Sequence, residues 1–484
     1  MTHARYGTIY YFFKTQIEFG YYQTGDFLPT MEEVRKVSHY AMNTVRNAYL
    51  QLQGEGYISL SSGRKTLVVF NSSPEECYHR EQDYYLARRE ALHQLFQVLP
   101  TFFLPILREG CRRLRTRDIH MIGRVASSYQ GDNFYVSYLC ARQMLLTLKN
   151  RLVLDLYDAI SRFYQFPHRL HNHMAREDLR TKLKHLSEDA ATACARDDRD
   201  GLYQVYVQLQ NLMDETLQIF TELSAQERPV PEQIPFRWHV HRARPQVFYS
   251  LASNLTGRIL LNHEYGIGSF LPTYGELAES YSVGHSTVRR AIGLMERFGL
   301  VTTIHGIGTK VTPITAESIH LTEKESQQFM TIFLEAIQIL RLNFDGFVEP
   351  FSEKPPYRVE RCISTLRAFQ DGEASFAPFF ICMGFLLYDN DNHPLKEIWD
   401  ELYEFLILGL PFLVLQAQNE PFAAQLESYL NPLIESLEVS NARQFKVTLH
   451  KLLMLVSSVA EEAANELFGS TTRAETDTTY LINE

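Results

Sequence analysis

The hydrophobic positions of this 484-residue chain recur mostly at intervals of three and four, the spacing of a helix with one buried face. Residues 45–52 and 288–295 show this spacing best, and in both segments the opposite face is polar. Each segment is followed by a glycine, Gly56 or Gly299, which suits a left-handed cap at a helix end. Only short β-branched stretches interrupt the pattern. The chain is therefore predicted to be mainly α-helical.

The two segments belong to a longer repeat. Residues 6–70 align with residues 249–313 at a constant offset of 243 residues, without a gap. A weaker similarity continues at the same offset, between residues 150–156 and 393–399. Repeated units must be interpreted as equivalent modules. We therefore predict that a module and the segment after it were duplicated together.

Each copy of the repeat is predicted to contain three helices and a β-hairpin. The first helix is expected over residues 6–20 or 249–263, and the second begins at a capping box, Thr30-x-x-Glu33 or Thr273-x-x-Glu276. The third helix carries the apolar stripe, and two β-branched segments around a glycine-containing turn follow it. This order is that of a winged helix-turn-helix, whose third helix enters the major groove of DNA.

Candidate DNA contacts lie at the Leu-Pro-Thr turn, at the start of the third helix and in the hairpin. Short polar groups at a helix N-terminus can approach phosphates, and arginines can reach base edges. In the first copy the candidates are Thr30, Asn43, Thr44, Arg46, Asn47, Arg64 and Lys65. In the second copy they are Thr273, His285, Ser286, Thr287, Arg289, Arg290, Gly306, Gly308 and Lys310. The paired arginines and the glycine-rich hairpin make the second copy the stronger candidate.

The charge distribution agrees with this placement. The net charge is -10, yet residues 1–70 carry seven Lys/Arg against five Asp/Glu, and residues 237–313 carry eight against four. The rest of the chain is acidic. Two mildly basic modules on an acidic chain are expected if only the modules touch a polyanion.

The repeated motifs resemble the winged helix-turn-helix of the GntR family of bacterial transcription regulators. The matching residues of the first copy are Leu28-Pro29-Thr30, Thr44-Val45-Arg46, Ala48, Glu55-Gly56 and Gly63. Those of the second copy are Leu271-Pro272-Thr273, Thr287-Val288-Arg289, Ala291, Gly299-Leu300 and Gly306-x-Gly308-Thr309. The resemblance implies a bacterial regulator that binds DNA.

Two arginines that the family uses at DNA are absent from both copies. The matching positions early in the second helix are Glu32 and Gly275, and those at the start of the third helix are Met42 and His285. The family's sequence preference therefore cannot be transferred to this chain, and each module alone is expected to bind weakly.

The segments after the modules are rich in helical periodicity and poor in glycine. They are similar, more distantly, to the all-helical effector domains of the FadR-like branch of the same family, through Asp132-x-Phe134-Tyr135 and Asn150-x-Leu152. That branch often binds a divalent metal through an aspartate and three histidines. Because this chain has Tyr135 in place of a histidine, we predict no metal.

The predicted domains are winged module 1 (1–72), helical domain 1 (73–225), a proline-containing linker (226–243), winged module 2 (244–314), helical domain 2 (315–470) and a flexible tail (471–484).

Two other clusters have competing interpretations. His168, His171 and His173 are close enough in sequence to ligate zinc, but a polar loop after a helix end is the simpler explanation. The aromatic stripe in residues 376–386 could line an apolar ligand pocket, although such a stripe is more often core or a dimer face.

Several classes of protein are disfavoured. The six cysteines are scattered without a C-x-x-C pair, which indicates a reduced, intracellular protein. No secretory signal is evident at the start, and the longest apolar runs are shorter than the roughly 20 residues of a membrane span. The chain has no phosphate loop, G-x-S-x-G or H-E-x-x-H motif. We therefore expect a cytoplasmic protein without catalytic residues, cofactor or membrane contact.

The leading hypothesis is a transcription regulator that places two winged modules on double-stranded DNA, with helical domains that sense a small molecule. Two modules in one chain can cover half-sites about 34–36 Å apart, and a homodimer would present four modules. The alternative is a ligand- or protein-binding scaffold whose modules no longer bind DNA. The missing family arginines and the acidic balance favour that alternative.

Overall fold

The computed structural model describes residues 7–38, 40–61, 65–128, 133–165, 176–238, 247–348, 354–370, 375–387, 391–417 and 420–468. Within them the fold is mainly α, with two small antiparallel sheets of two strands each. This confirms the predicted fold class. Internal contacts divide the chain into two compact units. The first contains residues up to Ala243 together with Asn392–Leu395, and the second contains Arg244–Asp391 and the described residues from Lys396 onward.

The first unit begins with a winged helix-turn-helix. Its elements are α1 (Gly7–Glu18), α2 (Met31–Ser38), α3 (Met42–Gly54), β1 (Ile58–Ser59) and β2 (Leu67–Val68). The stripe predicted from the sequence is the inner face of α3, and its four residues, Val45, Ala48, Tyr49 and Leu52, are fully buried. The Tyr49 hydroxyl donates to the Pro29 carbonyl oxygen over 2.6 Å, which fixes α3 against the Leu-Pro-Thr turn.

A helical array follows in the same unit. Its described helices are α4 (Pro74–Leu86), α5 (Arg89–Val98), α6 (Leu104–Arg112), α7 (Thr116–Ser128), α8 (Asn133–Leu146), α9 (Arg151–Tyr164), α10 (Arg176–Ala195) and α11 (Arg199–Glu227). A π-helical turn, Leu99–Phe103, joins α5 to α6. Phe19, which follows α1, packs into the same apolar cluster as Tyr85, Phe96 and Leu217. Module and array therefore share one core.

The segment predicted as a linker is bound along the first unit. Residues 226 and 227 complete α11, and after them the Ile234 amide donates to the Ala87 carbonyl oxygen over 2.6 Å. Phe236 and Trp238 are fully buried, and Trp238 Nε1 donates to Asp155 Oδ2 over 3.1 Å. Two aromatic side chains thus hold a segment that its prolines predicted to be a linker.

The second unit also begins with a winged helix-turn-helix. Its elements are α12 (Val247–Leu260), α13 (Tyr274–Ser280), α14 (His285–Arg297), β3 (Val301–Ile304) and β4 (Gly308–Val311). The strands pair from Val301 opposite Val311 to Ile304 opposite Gly308. Helix α12 begins two residues before its predicted start and ends three before its predicted end.

Six further helices lie in the described part of the second unit. They are α15 (Glu323–Phe347), α16 (Pro356–Arg367), α17 (Ala377–Leu387), α18 (His393–Ala417), α19 (Glu420–Glu438) and α20 (Ala442–Phe468). The aromatic stripe of α17 lies in the core, since Phe379 and Phe380 are fully buried. Trp399 on α18 is also buried and packs beside Tyr403 with ring centroids 5.4 Å apart.

Elements recur along the chain at the offset found in the sequence. Helices α3 and α14 begin 243 residues apart, and so do α11 and α20. Backbone geometry recurs as well, since Gly25 and Gly268 have φ angles of +97° and +93°. The duplication of a whole unit remains a prediction, and these positions favour it.

Some sequence features fall outside the described residues: Arg64, Asp132, His168, His171, His173 and the tail 471–484. Among the residues that are described, no three His, Cys, Asp or Glu side chains are grouped so that they could hold a metal ion. Within the same ranges no helix combines the length and apolarity that crossing a bilayer demands.

Candidate nucleic-acid interface

Helix α14 of the second module turns its polar face to solvent. His285, Ser286 and Arg289 are exposed, and Thr287 is half-buried. Val288, on the opposite face, is fully buried. The first two turns of this helix are therefore available to a groove of DNA while its other side is fixed in the module.

The end of α14 is fixed by a left-handed glycine. Gly299 has φ of +73°, its amide donates to the Glu296 carbonyl oxygen over 2.9 Å, and the Leu300 amide donates to Met295 over 3.0 Å. Gly56 has φ of +79° at the matching position after α3. Both glycines predicted as left-handed caps are therefore confirmed, because this backbone conformation strains other residues.

The capping boxes at the Leu-Pro-Thr turns are confirmed in both modules. Thr273 Oγ1 donates to Glu276 Oε2 over 2.8 Å and accepts from the Glu276 amide over 3.3 Å. Thr30 and Glu33 form the same bonds. Hydrogen bonds from the backbone amide and then the hydroxyl of the threonine lower the pKa of each glutamate. The threonine hydroxyls are thus used within the capping boxes. Their role in DNA binding would be indirect, through fixing the starts of α2 and α13.

The starts of α13 and α14 come together on one surface. A Cβ atom on Gly275 would lie 3.9 Å from Thr273 Oγ1 and 4.0 Å from His285 Cε1. Since Gly275 has no side chain, the candidates Thr273 and His285 border one shallow depression. Free backbone amides at helix starts favour an anion such as a phosphate.

The hairpin of the second module stands beside this surface. Its tip contains Gly306 with φ of +75° and Gly308 with φ of +145°, and between them Ile307 is 70% exposed. A Cβ atom on Gly308 would lie 3.3 Å from the Phe270 ring, so the hairpin approaches the Leu-Pro-Thr turn closely. Lys310 is half-buried on β4, and its backbone pairs with that of Phe270 in an isolated antiparallel β-bridge.

The two neighbouring arginines of α14 differ in their surroundings. Arg290 is exposed, but its guanidinium lies over the ring of Phe248 at 4.1 Å from the centroid. Arg289 is exposed and takes part in none of the hydrogen bonds, ion pairs or ring contacts found among the described residues. Of the two arginines, Arg289 is therefore the one whose side chain has no such contact with another described residue.

The third helix of the first module offers fewer arginines than α14. Asn43, Arg46 and Lys65 are exposed, while Thr44 and Asn47 are half-buried. The structure does not describe Arg64. The candidates on α3 thus supply one arginine, where α14 supplies two.

Early in α2, the residue at the family's arginine position is paired within the helix. Glu32 forms an ion pair with Arg35, with Oε1 2.6 Å from Nη2. Hydrogen bonding to Arg35 lowers the pKa of Glu32, so the carboxylate stays charged. Part of the positive charge on α2 is thereby neutralised.

A buried polar cluster that the sequence pattern did not predict lies beneath the turn of the first module. We call Ser38, Tyr40, Tyr138, Arg142 and Asp158 the turn cluster. Arg142 Nη1 donates to the Ser38 carbonyl oxygen over 2.6 Å, and Tyr138 Oη donates to Asp158 Oδ1 over 2.8 Å. Tyr40 Oη donates to Asp158 Oδ2. An arginine within the apolar run of α8 was the one signal in the sequence.

A cleft in the helical array of the first unit lies next to this cluster. Aromatic rings form much of its wall. Phe103, Tyr157 and Tyr138 form a parallel stack there, with centroids 5.3 and 5.4 Å apart. Behind the wall, Asp214 accepts from Tyr164 and Gln210, and burial raises the pKa of Asp214 to about 6.

Comparison with known proteins places the second module in a family. The family model described as "Bacterial regulatory proteins, gntR family" matches residues 252–311, which run from α12 to the end of β4. Comparison with curated proteins gave no match.

Solved structures were also compared. The Streptococcus agalactiae GntR is 14% identical, covers 43% of this chain and 99% of its own, and has a TM-score of 0.20. A structure from work on Lar, which controls the expression of the Listeria monocytogenes agr system, is 15% identical, covers 44% and 96%, and has a TM-score of 0.18. Scores this low carry no conclusion about the fold.

The matched residues contain the exposed start of α14, the capped turn and the glycine hairpin, which together form the second module's candidate interface. The second module, over residues 252–311, therefore matches the family of bacterial regulatory proteins described as the gntR family.

Proposed function

We propose that this chain regulates transcription by binding double-stranded DNA, with the second winged module as its principal reader. The observation that carries the proposal is the exposure of Arg289 on the outer face of α14. Arg289 lies one turn after His285 on α14, and His285 borders the depression with Thr273. Helix face, helix starts and hairpin are the three parts that a winged module applies to a groove and its phosphates.

The test is the affinity of the full chain for duplex DNA, measured by fluorescence anisotropy with a duplex selected from a random pool by the wild-type protein. Arg289→Ala is expected to weaken binding by about tenfold. Arg443→Ala is the matched control, because Arg443 is exposed on α20 of the same unit and far along the chain from the module. Equal affinity of Arg289→Ala and wild type would contradict the assignment of the second module as reader.

The first module is proposed as a second, weaker reader. Arg46 is exposed on α3, at the position that Arg289 occupies on α14. The two helices differ in their other polar residues, so the two half-sites are expected to differ in sequence. Arg46→Ala should weaken binding at one half-site and leave the other unchanged. The control is Arg196→Ala, because Arg196 is exposed just after the end of α10.

One observation favours the alternative function for the first module alone. The ion pair between Glu32 and Arg35 places a carboxylate early in α2, where the family's arginine would meet a phosphate. If the first module has become a scaffold, Arg46→Ala will leave both half-sites unaffected. Footprinting of the wild-type chain would then show one protected half-site per chain.

We further propose that the helical domains sense a small molecule and support a homodimer. The aromatic cleft beside Tyr138 and Tyr157 supports the first part, because apolar walls with a few polar groups are typical of ligand sites. A thermal-shift screen of aromatic and aliphatic metabolites tests it, and Leu209→Trp, which fills the cleft, should abolish any shift that is found. Sedimentation of the full chain tests the dimer.

A further inference from the structure

The turn cluster holds both sides of the helix-turn-helix turn in the first module. Ser38 is the last residue of α2, and Tyr40 lies in the turn that leads to Met42, the first residue of α3. Arg142 donates to the Ser38 carbonyl oxygen, which is one of the free acceptors at a helix end. The Arg142 guanidinium also lies over the Tyr40 ring, 4.4 Å from its centroid. The array thereby determines the direction in which α3 leaves the turn.

The cluster is built from charged groups inside the unit. Arg142 and Asp158 are 6% and 7% exposed, and Arg142 Nε lies 3.5 Å from Asp158 Oδ1. Two tyrosine hydroxyls, those of Tyr40 and Tyr138, donate to the same carboxylate. Buried charges are tolerated only when partners of this kind surround them, so the geometry of the cluster is restrictive. Burial, and then the charge of Asp158, raise the pKa of Tyr40 to about 12, so its hydroxyl remains a donor at neutral pH.

The second module lacks this arrangement. At the positions 243 residues later, its turn carries Tyr281 and Val283, and the arginine position is Phe385. Tyr281 bonds within its own module, since its hydroxyl donates to Asn254 Oδ1 over 2.6 Å and accepts from Arg258 over 2.9 Å. A phenylalanine cannot donate to the end of a helix. The turn before α14 is therefore held by its module, and the turn before α3 by the helical array.

We propose that Tyr40, Arg142 and Asp158 are positioning residues for α3, so that the first module reads DNA only while it is docked on its helical array. The second module reads DNA without such a requirement. This inference rests on the proposed DNA-binding function. It states that the helical array controls DNA binding by the first module only. Tyr138 belongs to the cluster and lines the aromatic cleft, so a ligand that moves its ring would act on α3.

The test uses the full chain and three variants. Tyr40→Phe removes one hydroxyl donor, Asp158→Asn removes the charge that pairs with Arg142, and the double variant completes a cycle. Tyr281→Phe is the matched control, since it removes a hydroxyl at the turn of the second module. The probe is the duplex selected by the wild-type chain, and Arg46→Ala and Arg289→Ala identify which half-site each module occupies.

Both single variants are expected to lower affinity at the half-site of the first module by about tenfold, with the other half-site unchanged. The double variant should lose little more than either single variant, because both break one cluster. Tyr281→Phe should leave the first half-site unchanged. Equal losses at both half-sites, or no loss in a folded variant, would overturn the proposal.

Hydrogen exchange supplies a readout that does not need DNA. The amides of the turn and of the start of α3 should exchange faster in Tyr40→Phe and Asp158→Asn, while those of α14 stay as in wild type. If the wild-type chain selects no duplex, the proposed function fails, and exchange alone then decides the positioning role. Unchanged exchange at the turn in both variants would refute that role.

Discussion

The Arg290 guanidinium lies over the Phe248 ring, with its central carbon 4.1 Å from the ring centroid, and this contact joins α14 to the first turn of α12. Phe248 is 8% exposed, so the arginine covers a largely buried ring. The adjacent Arg289 has no such contact among the described residues. Two consecutive arginines that look alike in the sequence thus have different roles, one in the module's packing and one at its surface.

Substitution should separate these roles. Arg290→Ala is expected to destabilise the second unit by about 0.5–1 kcal/mol through loss of the cation–π contact. Arg289→Ala is expected to leave stability unchanged and to cost about 1–3 kcal/mol in DNA binding. Thermal unfolding and anisotropy on the same preparations measure both quantities. A larger binding loss for Arg290→Ala than for Arg289→Ala would reverse the assignment.

The salt dependence of binding should count the arginines that meet phosphates. Each contact with a DNA phosphate releases a counterion. If both arginines contact DNA phosphates, Arg46→Ala and Arg289→Ala should each reduce the slope of the logarithm of the binding constant against the logarithm of the salt concentration by about one. Their combination should reduce it by about two. Arg196→Ala and Arg443→Ala should leave the slope unchanged. A slope that falls in one variant only would show that a single module contacts the phosphates.

Two glycines in equivalent positions should respond differently to alanine. Both have positive φ, but a Cβ atom on Gly299 would lie 2.7 Å from the Ser318 carbonyl oxygen, whereas one on Gly56 would meet nothing within 4 Å. Gly56→Ala should lower the free energy of unfolding by about 1–2 kcal/mol through backbone strain alone. Gly299→Ala should cost about 1–3 kcal/mol more, because the clash involves backbone that cannot move aside.

Urea unfolding followed by circular dichroism measures both alanine variants. Ser318→Gly in the Gly299→Ala background is the control, since it removes the side-chain contact and leaves the backbone clash. It should restore only part of the lost stability. If Gly56→Ala and Gly299→Ala lowered the stability equally, the segment around Ser318 would have to move to accommodate the added methyl group.

Stability of the first unit should depend on the charge of Asp214. Its pKa in the folded chain is raised to about 6 by burial, against about 3.9 in an unfolded chain. The folded unit therefore binds this proton more tightly than the unfolded chain does. The stabilisation from protonated Asp214 is fully present below about pH 4 and is lost as the pH rises through about 6.

At pH 7 the buried carboxylate is therefore expected to destabilise the unit by at most about 2–3 kcal/mol. Asp214→Asn keeps an oxygen that can accept from Tyr164 and Gln210 and removes the charge. The variant should be more stable than wild type at pH 7 and equal to it near pH 4. Unfolding curves of both proteins at pH 4 and pH 7 test this expectation. If Asp214→Asn were less stable than wild type at pH 7, the carboxylate would be needed for the stability of the unit.

The two modules could be predicted because their determinants are local. Thr30 and Thr273 each bond a glutamate three residues away, and Gly56 and Gly299 end their helices by their own backbone freedom. Such local patterns can be recognised without knowing how the rest of the chain packs. The exposed face of α14 followed from the same periodicity, since burying Val288 obliges Arg289 to face outward.

The docking of the first module could not be predicted in the same way. Arg142 and Ser38 are 104 residues apart, and Tyr40 and Asp158 are 118 apart. Pairings over such distances depend on how helices pack, which no local pattern encodes. The packing of the predicted linker up to Trp238 could not be predicted for a related reason, because its prolines indicate a connection and say nothing about the apolar site that receives its aromatic side chains.

The chain has two tryptophans, and each is buried in a different unit, Trp238 in the first and Trp399 in the second. Replacing one of them by phenylalanine leaves an intrinsic fluorophore in the other unit alone. The emission maximum of each single-tryptophan protein then reports the melting of one half of the chain without an added label. Such a pair of optical probes can establish whether ligand or DNA protects the two halves together or one at a time.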